Sequence, residues 1–466
     1  MTTPLLFGLA GAGVLISLIA RVFVTARIRT DTDEWQHLAF AREVKKRGYR
    51  MADFSSRFVA PVQGPYPPLV HFMLAPLIGI ATPVQIRLVY LTLDLVVAAL
   101  IYGLATGLGA AAPTALFASL LYLVTPLNAV EGTFLNARSP GLLFYMTVIA
   151  ALAVYAQAGG VQWIMLAAAM LPLVALTHRM ALQVLLPTLA VSGAMFWLNG
   201  NATVGIGIFG VILIGMALAF LFTQGAYARV LRFHLQLIQA HAKATPHIPN
   251  PLHTLGFAPW LLLGGYAAYT GHLLESAATT LLIVAAAVPL VLAIFWWFGD
   301  GARHIYYATP PLLVLALPVF YKPDPLLELL MAAILLVSIL LQMHLFRSFT
   351  RSRLTADLMA CYDFLGKKSG LLLCLPTHRE SVTWFTTNPI VYCQSPYRRP
   401  TPEAAEAFLA SHMQNHPVQW VLIEKDGPFD AAAKKHGLDL AFSAGRFGIY
   451  KSRGKNTVHA KKSANK

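Results

Sequence analysis

The chain predicts a polytopic α-helical membrane protein of about eleven spans with a C-terminal soluble α/β domain. Three observations carry this. Only 12% of its 466 residues are charged and 57% are hydrophobic, where soluble domains average about 25% charged; the mean hydropathy is +0.61. Apolar runs long enough to cross lipid, about 20 residues each, recur between residues 5 and 346. Beyond Arg347 the pattern changes to short strand-like runs alternating with helical stretches, the signature of a small α/β domain.

The apolar runs fall at 5–24, 85–107, 112–127, 141–157, 161–176, 181–198, 203–223, 256–271, 277–298, 307–321 and 325–346. The first has no small-residue cleavage site and a basic flank (Arg21, Arg27, Arg29), so it reads as an uncleaved anchor. An odd number of spans puts the chain ends on opposite sides. Between the first two runs the chain is polar. There Trp35, Leu38, Ala41 and Val44 recur at helical spacing, which predicts an amphipathic helix along the membrane surface. Pro67 and Pro68 can open the next helix. The stretch Leu69–Ala81 is too short to span and contains Pro76, so it reads as re-entrant or interfacial. Asp94, inside the second run, is a carboxylate at membrane depth, which is either functional or protonated and bonded to a neighbouring helix. The polar loop 224–255, with Arg229, Arg232 and several histidines, suits a surface helix.

In the C-terminal part, strands are expected at Leu371–Leu375, Pro389–Cys393, Trp420–Glu424 and Leu438–Phe442, and helices near 379–386, 402–413 and 428–436. The alternation implies a largely parallel sheet. The domains then read as 1–346 transmembrane with its first outer loop at 25–66, 347–455 soluble α/β, and a basic, disordered tail at 456–466, the basic run itself starting at Lys451. Cys361, Cys374 and Cys393 match no zinc spacing. They read either as one disulfide with a spare thiol or as three buried thiols. No Gly-rich nucleotide motif occurs. The formal charge of +15, without any nucleic-acid motif, points to anionic membrane lipids and lipid phosphates as partners, not nucleic acid.

The chemistry-bearing stretch is Thr30-Asp31-Thr32-Asp33-Glu34-Trp35-Gln36-His37, immediately after the first run. Asp31-x-x-Glu34 has the form of a capping box. Acidic residues also suit any first helical turn through the macrodipole, so capping is the plain alternative to catalysis. A basic run follows (Arg42, Lys45, Lys46, Arg47, Arg50), then Arg57, then Tyr66-Pro67-Pro68 and His71.

The order of span, Asp-Glu loop, surface helix, Tyr-Pro-Pro helix ending in Ala75-Pro76-Leu77, many spans and a C-terminal soluble domain resembles the GT-C superfamily of integral-membrane glycosyltransferases. Within it the protein mannosyltransferase and aminoarabinose transferase group is the nearest in layout. The resemblance covers the whole architecture, with its motif evidence confined to about residues 30–76. It implies transfer of a sugar from a polyprenyl-phosphate carrier to a glycan, lipid or protein acceptor, in the inner or plasma membrane. The active site and C-terminal domain would then lie on the non-cytoplasmic face.

For the residues, the resemblance implies Asp33 as general base, with Asp31 the competing candidate and Glu34 orienting the acceptor or binding a metal. No obligatory cofactor is evident and no compact metal-ligand cluster occurs beyond this loop. A lipid-phosphate leaving group calls for cations and hydroxyls. Arg57, Tyr66 and His71 lie in this early region, and Arg138, His178, Arg179, Arg303, His304 and Tyr307 fall at run ends, where snorkelling to the interface is the alternative. Glu131 resembles a second acidic position. An outward loop would carry eight basic residues between Arg27 and Arg57, against the usual inside bias: either these cations are retained to hold phosphates or the topology is inverted. The competing functions are a lipid-linked-sugar flippase, which would be expected to show paired half-repeats, and a non-catalytic envelope-assembly subunit.

Overall fold

The computed structural model describes residues 4–27, 33–51, 58–59, 66–242, 256, 258–295, 301–321, 325–350, 354–375, 380–391 and 400–452. The chain divides into two compact units, Met1–Ile28 with Pro67–Thr350, and Arg29–Tyr66 with Arg351–Lys466. The sequence had suggested residues 25–66 as an appendage of the spans, whereas Arg29–Tyr66 groups with the C-terminal segment.

The first unit is helical. Its elements are α1 (Pro4–Arg27), α3 (Leu69–Leu74) with a 3₁₀ turn at Ala75–Leu77, α4 (Pro83–Gly107), α5 (Ala112–Leu123), α6 (Pro126–Glu131) and α7 (Arg138–Ala158). They continue as α8 (Val161–Thr177), α9 (Arg179–Leu198), α10 (Ala202–Phe222), α11 (Tyr227–Ala242), α12 (Trp260–Thr270), α13 (Thr279–Ile294), α14 (Gly301–Leu315), α15 (Leu317–Tyr321) and α16 (Pro325–Thr350). The apolar runs are therefore helical, as expected. By length they differ: among the described residues six helices are long and apolar enough to cross a membrane, namely α1, α4, α7, α9, α10 and α16, while α5, α8 and α13 are shorter. At 1.5 Å per residue the 12 residues of α5 reach only about 18 Å. This is an integral membrane protein.

Local chemistry sets the helix starts. Thr82 and Gln85 form a reciprocal capping box ahead of α4, with Pro83 in the first turn. Gly13 on α1 marks close packing: a methyl added there would lie 2.7 Å from Ile339 of α16 and 3.2 Å from Val124. Trp260 donates its indole N–H to Thr125 at 2.8 Å, and the Gln342 amide donates to the Val124 carbonyl. These bonds satisfy polar groups that apolar surroundings would otherwise strand.

The first run's basic flank needs correction. Arg21 is 1% exposed and pairs with Asp94 of α4 at 2.5 Å. Its Nε donates to Thr133 at 3.2 Å, and Tyr122 donates to the other Asp94 oxygen at 3.3 Å. Helix α1 continues to Arg27, so Arg21 lies inside it and turns toward the bundle. Asp94 is thus bonded to a neighbouring helix, but through an arginine partner that the sequence did not name. Gly132 is required beside this pair, because a Cβ there would collide with the Asp94 carboxylate and the Arg21 guanidinium.

The second unit contains α2 (Asp33–Lys46) and β1 (Phe58–Val59), then α17 (Ala356–Gly366), β2 (Leu371–Cys374), α18 (Glu380–Phe385), β3 (Ile390–Val391), α19 (Pro402–Asn415), β4 (Val418–Glu424), α20 (Pro428–Lys435), β5 (Asp439–Ala444) and β6 (Phe447–Lys451). The sheet order is β1-β3-β2-β4-β6-β5. The first four strands pair in parallel, and β6 and β5 add antiparallel. The core is built from Leu371, Leu373, Val421, Ile423, Leu409 and Tyr450.

Three features differ from the sequence reading. Strand β1 comes from the early loop, helix α17 precedes β2, and Lys451 ends a strand instead of opening a tail, because Phe447, Ile449 and Tyr450 are buried in the sheet. The tail at 456–466 lies outside the described residues, as does Cys393. Cys361 and Cys374 are buried free thiols; burial, with Asp357 nearby, pushes the Cys361 thiol up to about 11.

Candidate functional site

Helix α2 carries the acidic pair. Asp33 and Glu34 occupy its first turn, and Lys45 and Lys46 its last, the arrangement that the macrodipole favours. Gly48, at φ +64°, stops it in a conformation open to glycine. Asp33 is half-buried and Glu34 is 1% exposed. The helix was expected to lie on the membrane surface through Trp35, Leu38, Ala41 and Val44. In the structure Trp35 packs against Phe385 at 5.0 Å and Trp384 at 6.3 Å, within the same unit. Arg42 lies 4.6 Å over the Trp384 ring, and burial, opposed by Glu43, draws its guanidinium below the usual range. His37 meets the half-buried Tyr66 edge-on at 5.5 Å. Asp31 and Arg57 lie outside the described residues.

The first unit gathers most of the remaining residues around the start of α7. Arg138 pairs with Glu131 through Nε at 2.5 Å. Asn136 accepts the backbone N–H groups of Arg138 and Ser139 at 2.7 and 3.2 Å and donates to the Glu131 carbonyl at 2.7 Å. Asn136 thereby closes the helix start and holds the ion pair in register. One turn on, a methyl placed on Gly141 would lie 3.4 Å from both the Tyr307 hydroxyl and His178 Cβ. Three helix ends therefore converge: α7 with Arg138, the α8–α9 turn with His178 and Arg179, and α14 with Arg303, His304 and Tyr307.

Nearly all of these side chains are buried. His304 and Tyr307 are 0% exposed, His178 4% and Arg138 7%; Arg179 and Arg303 are half-buried. The buried Arg138 is not the exposed charged end that snorkelling predicts. Tyr307 packs edge-on to Tyr145 at 5.4 Å and to Tyr306 at 5.6 Å. On α3, His71 is 2% exposed, and Leu69 packs with Ala175, Leu176 and Leu182 at the α8–α9 turn.

Sequence reasoning placed Glu131 and Arg138 near one another without pairing them. It missed Asn136 as the organiser and Tyr306 beside Tyr307. The Asn-Ala-Arg-Ser order at 136–139 was the available signal, since asparagine ahead of a helix offers a cap. Among the described residues no group of three or more His, Cys, Asp or Glu suited to a metal ion occurs.

Chemically, the first unit offers guanidinium, imidazole and phenol groups in a helical bundle, the inventory for an anionic group. The second offers a carboxylate at a helix N-terminus. No protein-family model matches the sequence, and no curated protein matches it. Solved structures do match. ArnT from Cupriavidus metallidurans, bound to undecaprenyl phosphate, aligns with TM-score 0.59 at 13% identity over 95% of this chain and 98% of that one. The Archaeoglobus fulgidus oligosaccharyltransferase, tethered to an acceptor peptide containing the NVT sequon, gives 0.60 at 11% identity over 96% and 74%. The mycobacterial arabinofuranosyltransferase AftD gives 0.56 at 13% identity over 97% of this chain and 42% of its own. The chain has the fold of the GT-C glycosyltransferases.

Proposed function

We propose that the chain is a membrane glycosyltransferase that moves a sugar from a polyprenyl-phosphate-linked donor to an envelope acceptor, which is a lipid, polysaccharide or protein. The observation that carries the reading is Asp33, a half-buried carboxylate in the first turn of α2 in a chain of this fold. The undecaprenyl phosphate held by the similar ArnT structure supports the donor class.

The acceptor hydroxyl attacks the anomeric carbon and its proton passes to the Asp33 carboxylate. The bond from the anomeric carbon to the phosphate oxygen breaks, and polyprenyl phosphate leaves as an anion. Glu34 orients the acceptor or holds a divalent metal, and Asp31 is the alternative base. The donor phosphate draws on Arg57, Tyr66, His71, Arg138, His178, Arg179, Arg303, His304 and Tyr307, and Glu131, the partner of Arg138, is a second acidic position in the substrate site. The reaction takes place on the non-cytoplasmic face.

The test is mass spectrometry of polyprenyl-phosphate sugars and envelope glycans in cells with the parent, without the protein, and with Asp33→Asn. Loss of the protein and Asp33→Asn should both accumulate one carrier-linked sugar and deplete one glycan modification. Unchanged pools in cells lacking the protein would contradict the reading.

A further inference from the structure

Helix α2 is 14 residues long, a length that is marginal alone in water. Its orientation therefore depends on what it packs against. At 100° per residue, Trp35, Leu38, Ala39 and Arg42 share one face, about 140–240° round the helix from Asp33, which lies on the opposite one. The Trp35 face is docked on α18. Trp35 contacts Phe385 and Trp384. Arg42 donates through Nη2 to the carbonyls of Thr383 at 3.3 Å and Trp384 at 3.0 Å while stacking over the Trp384 ring. Those carbonyls belong to the last turn of α18, where helical carbonyls lack partners of their own and a cation is favoured.

The dock is anchored from behind. Phe385 stacks on Tyr362 of α17 at 5.8 Å and 15°, and the Tyr362 and Ser381 hydroxyls are 2.7 Å apart. A six-residue helix such as α18 has no stability of its own. The contacts thus run from α17 through α18 to one face of α2, joining residues more than three hundred positions apart in sequence.

We propose that Arg42 and Trp384 are positioning residues for Asp33. They fix one face of α2 to the C-terminal sheet unit and thereby set where the opposite face holds its carboxylate. The inference rests on the reading of Asp33 as the base. It explains why α2 and the C-terminal domain fold together: a misplacement of about 1 Å in a reacting group can cost on the order of a hundredfold in rate. Arg42 suits the task because one guanidinium nitrogen reaches both carbonyls while the planar group stacks on indole. Lysine would keep the charge and lose the planar stack.

The experiment uses full-length protein in detergent and in cells: parent, Arg42→Ala, Arg42→Lys, Trp384→Ala, Trp384→Phe and Asp33→Asn. Amide exchange is read across residues 33–46 and across the long apolar helices, and the ratio of carrier-linked sugar to glycan is read in cells. Arg42→Ala and Trp384→Ala should raise exchange in 33–46 by about tenfold, the loss expected for charge-assisted bonds. Exchange in the apolar helices should not change, and carrier-linked sugar should accumulate. Arg42→Lys and Trp384→Phe should fall between parent and alanine in both readouts. The inference is overturned if both alanine variants leave α2 exchange and the sugar ratio within about twofold of the parent, well below that bond energy. It is equally overturned if α2 loosens while the sugar ratio stays at the parent value. An unchanged ratio in Asp33→Asn instead removes the base assignment itself.

Discussion

The two units handle charge in opposite ways. In the helical unit, Arg21–Asp94 and Glu131–Arg138 are ion pairs whose side chains are all under 10% exposed. In the sheet unit, the pairs Lys435–Glu406 and Arg446–Glu424 lie at the surface. The difference follows from the surroundings. Water screens a surface pair and replaces a lost partner; inside an apolar bundle nothing does, so each charge is committed to the other. Charge in the first unit therefore specifies which helices meet, and these surface pairs of the second decorate a fold that its strands already specify.

The largest effect should come from breaking the committed pair. Asp94→Ala or Arg21→Ala leaves one buried charge alone, which costs about 3–5 kcal/mol. Detergent-extracted variants should lose folded protein, as read by fluorescence-detected size exclusion. The double change Arg21→Met with Asp94→Leu should recover most of that loss, since no charge remains unpaired. Gly132→Ala should behave like the single variants, because its methyl meets the same two groups. A single variant as stable as the parent would erase the contrast between the units.

Next is Arg303→Ala. If this half-buried cation holds the donor phosphate, its loss should lower donor use by about tenfold to a hundredfold, the equivalent of about 1.5–3 kcal/mol, with Arg303→Lys recovering part. Arg138→Ala differs from it in kind, because it also strands Glu131 and should cost folded protein as well as donor use. Rate against donor concentration for each variant, with the melting temperature beside it, separates the two.

A middle case lies in the sheet unit. Asp430 is 3% exposed and receives bonds from Tyr450 and Lys434. Burial alone would raise its carboxyl pKa, but these bonds outweigh it and hold the group below the ordinary range. A depressed carboxyl contributes stability above its unfolded pKa, about 3.9, and loses it as pH falls through the folded value. Asp430→Asn should therefore lower the melting temperature at pH 7, and the gap should close on acidification below about pH 4. A gap that persists at low pH would show that packing, not charge, is responsible. The smallest effect belongs to the surface: Arg446→Ala should change stability by no more than about 1 kcal/mol.

Much of this architecture is readable from residue order. The run 85–107 became α4 (Pro83–Gly107) and 161–176 became α8 (Val161–Thr177), because unbroken apolar sequence has few other ways to satisfy its backbone in lipid. Strand-like runs became β2, β4 and β5 because alternating and short apolar runs suit a sheet with a buried face. What sequence did not reveal is partner choice. Nothing near Arg21 names Asp94, and nothing near Phe58–Val59 names Ile390–Val391. Periodicity reports one element's faces, not what covers them, which is why Trp35 read as a membrane-facing residue and is instead held by Trp384 and Phe385. Of the candidate site, the residue types were legible, and the spacing of the apolar runs already brings the ends with Arg138, His178, Arg179, Arg303 and Tyr307 to one face; the ion pair of Arg138 with Glu131 was not legible.

The most direct measurement is sugar transfer by Asp33→Asn in reconstituted liposomes, using the carrier-linked sugar that accumulates in cells carrying that variant. The change is nearly isosteric and Asp33 is half-buried in the first turn of α2, so the melting temperature should stay close to the parent's. Removal of a general base should lower the rate by about a hundredfold to ten-thousandfold. Asp31→Asn should retain most of the activity. Full transfer by Asp33→Asn, with Asp31→Asn inactive, would move the base to Asp31 and contradict the account given of α2.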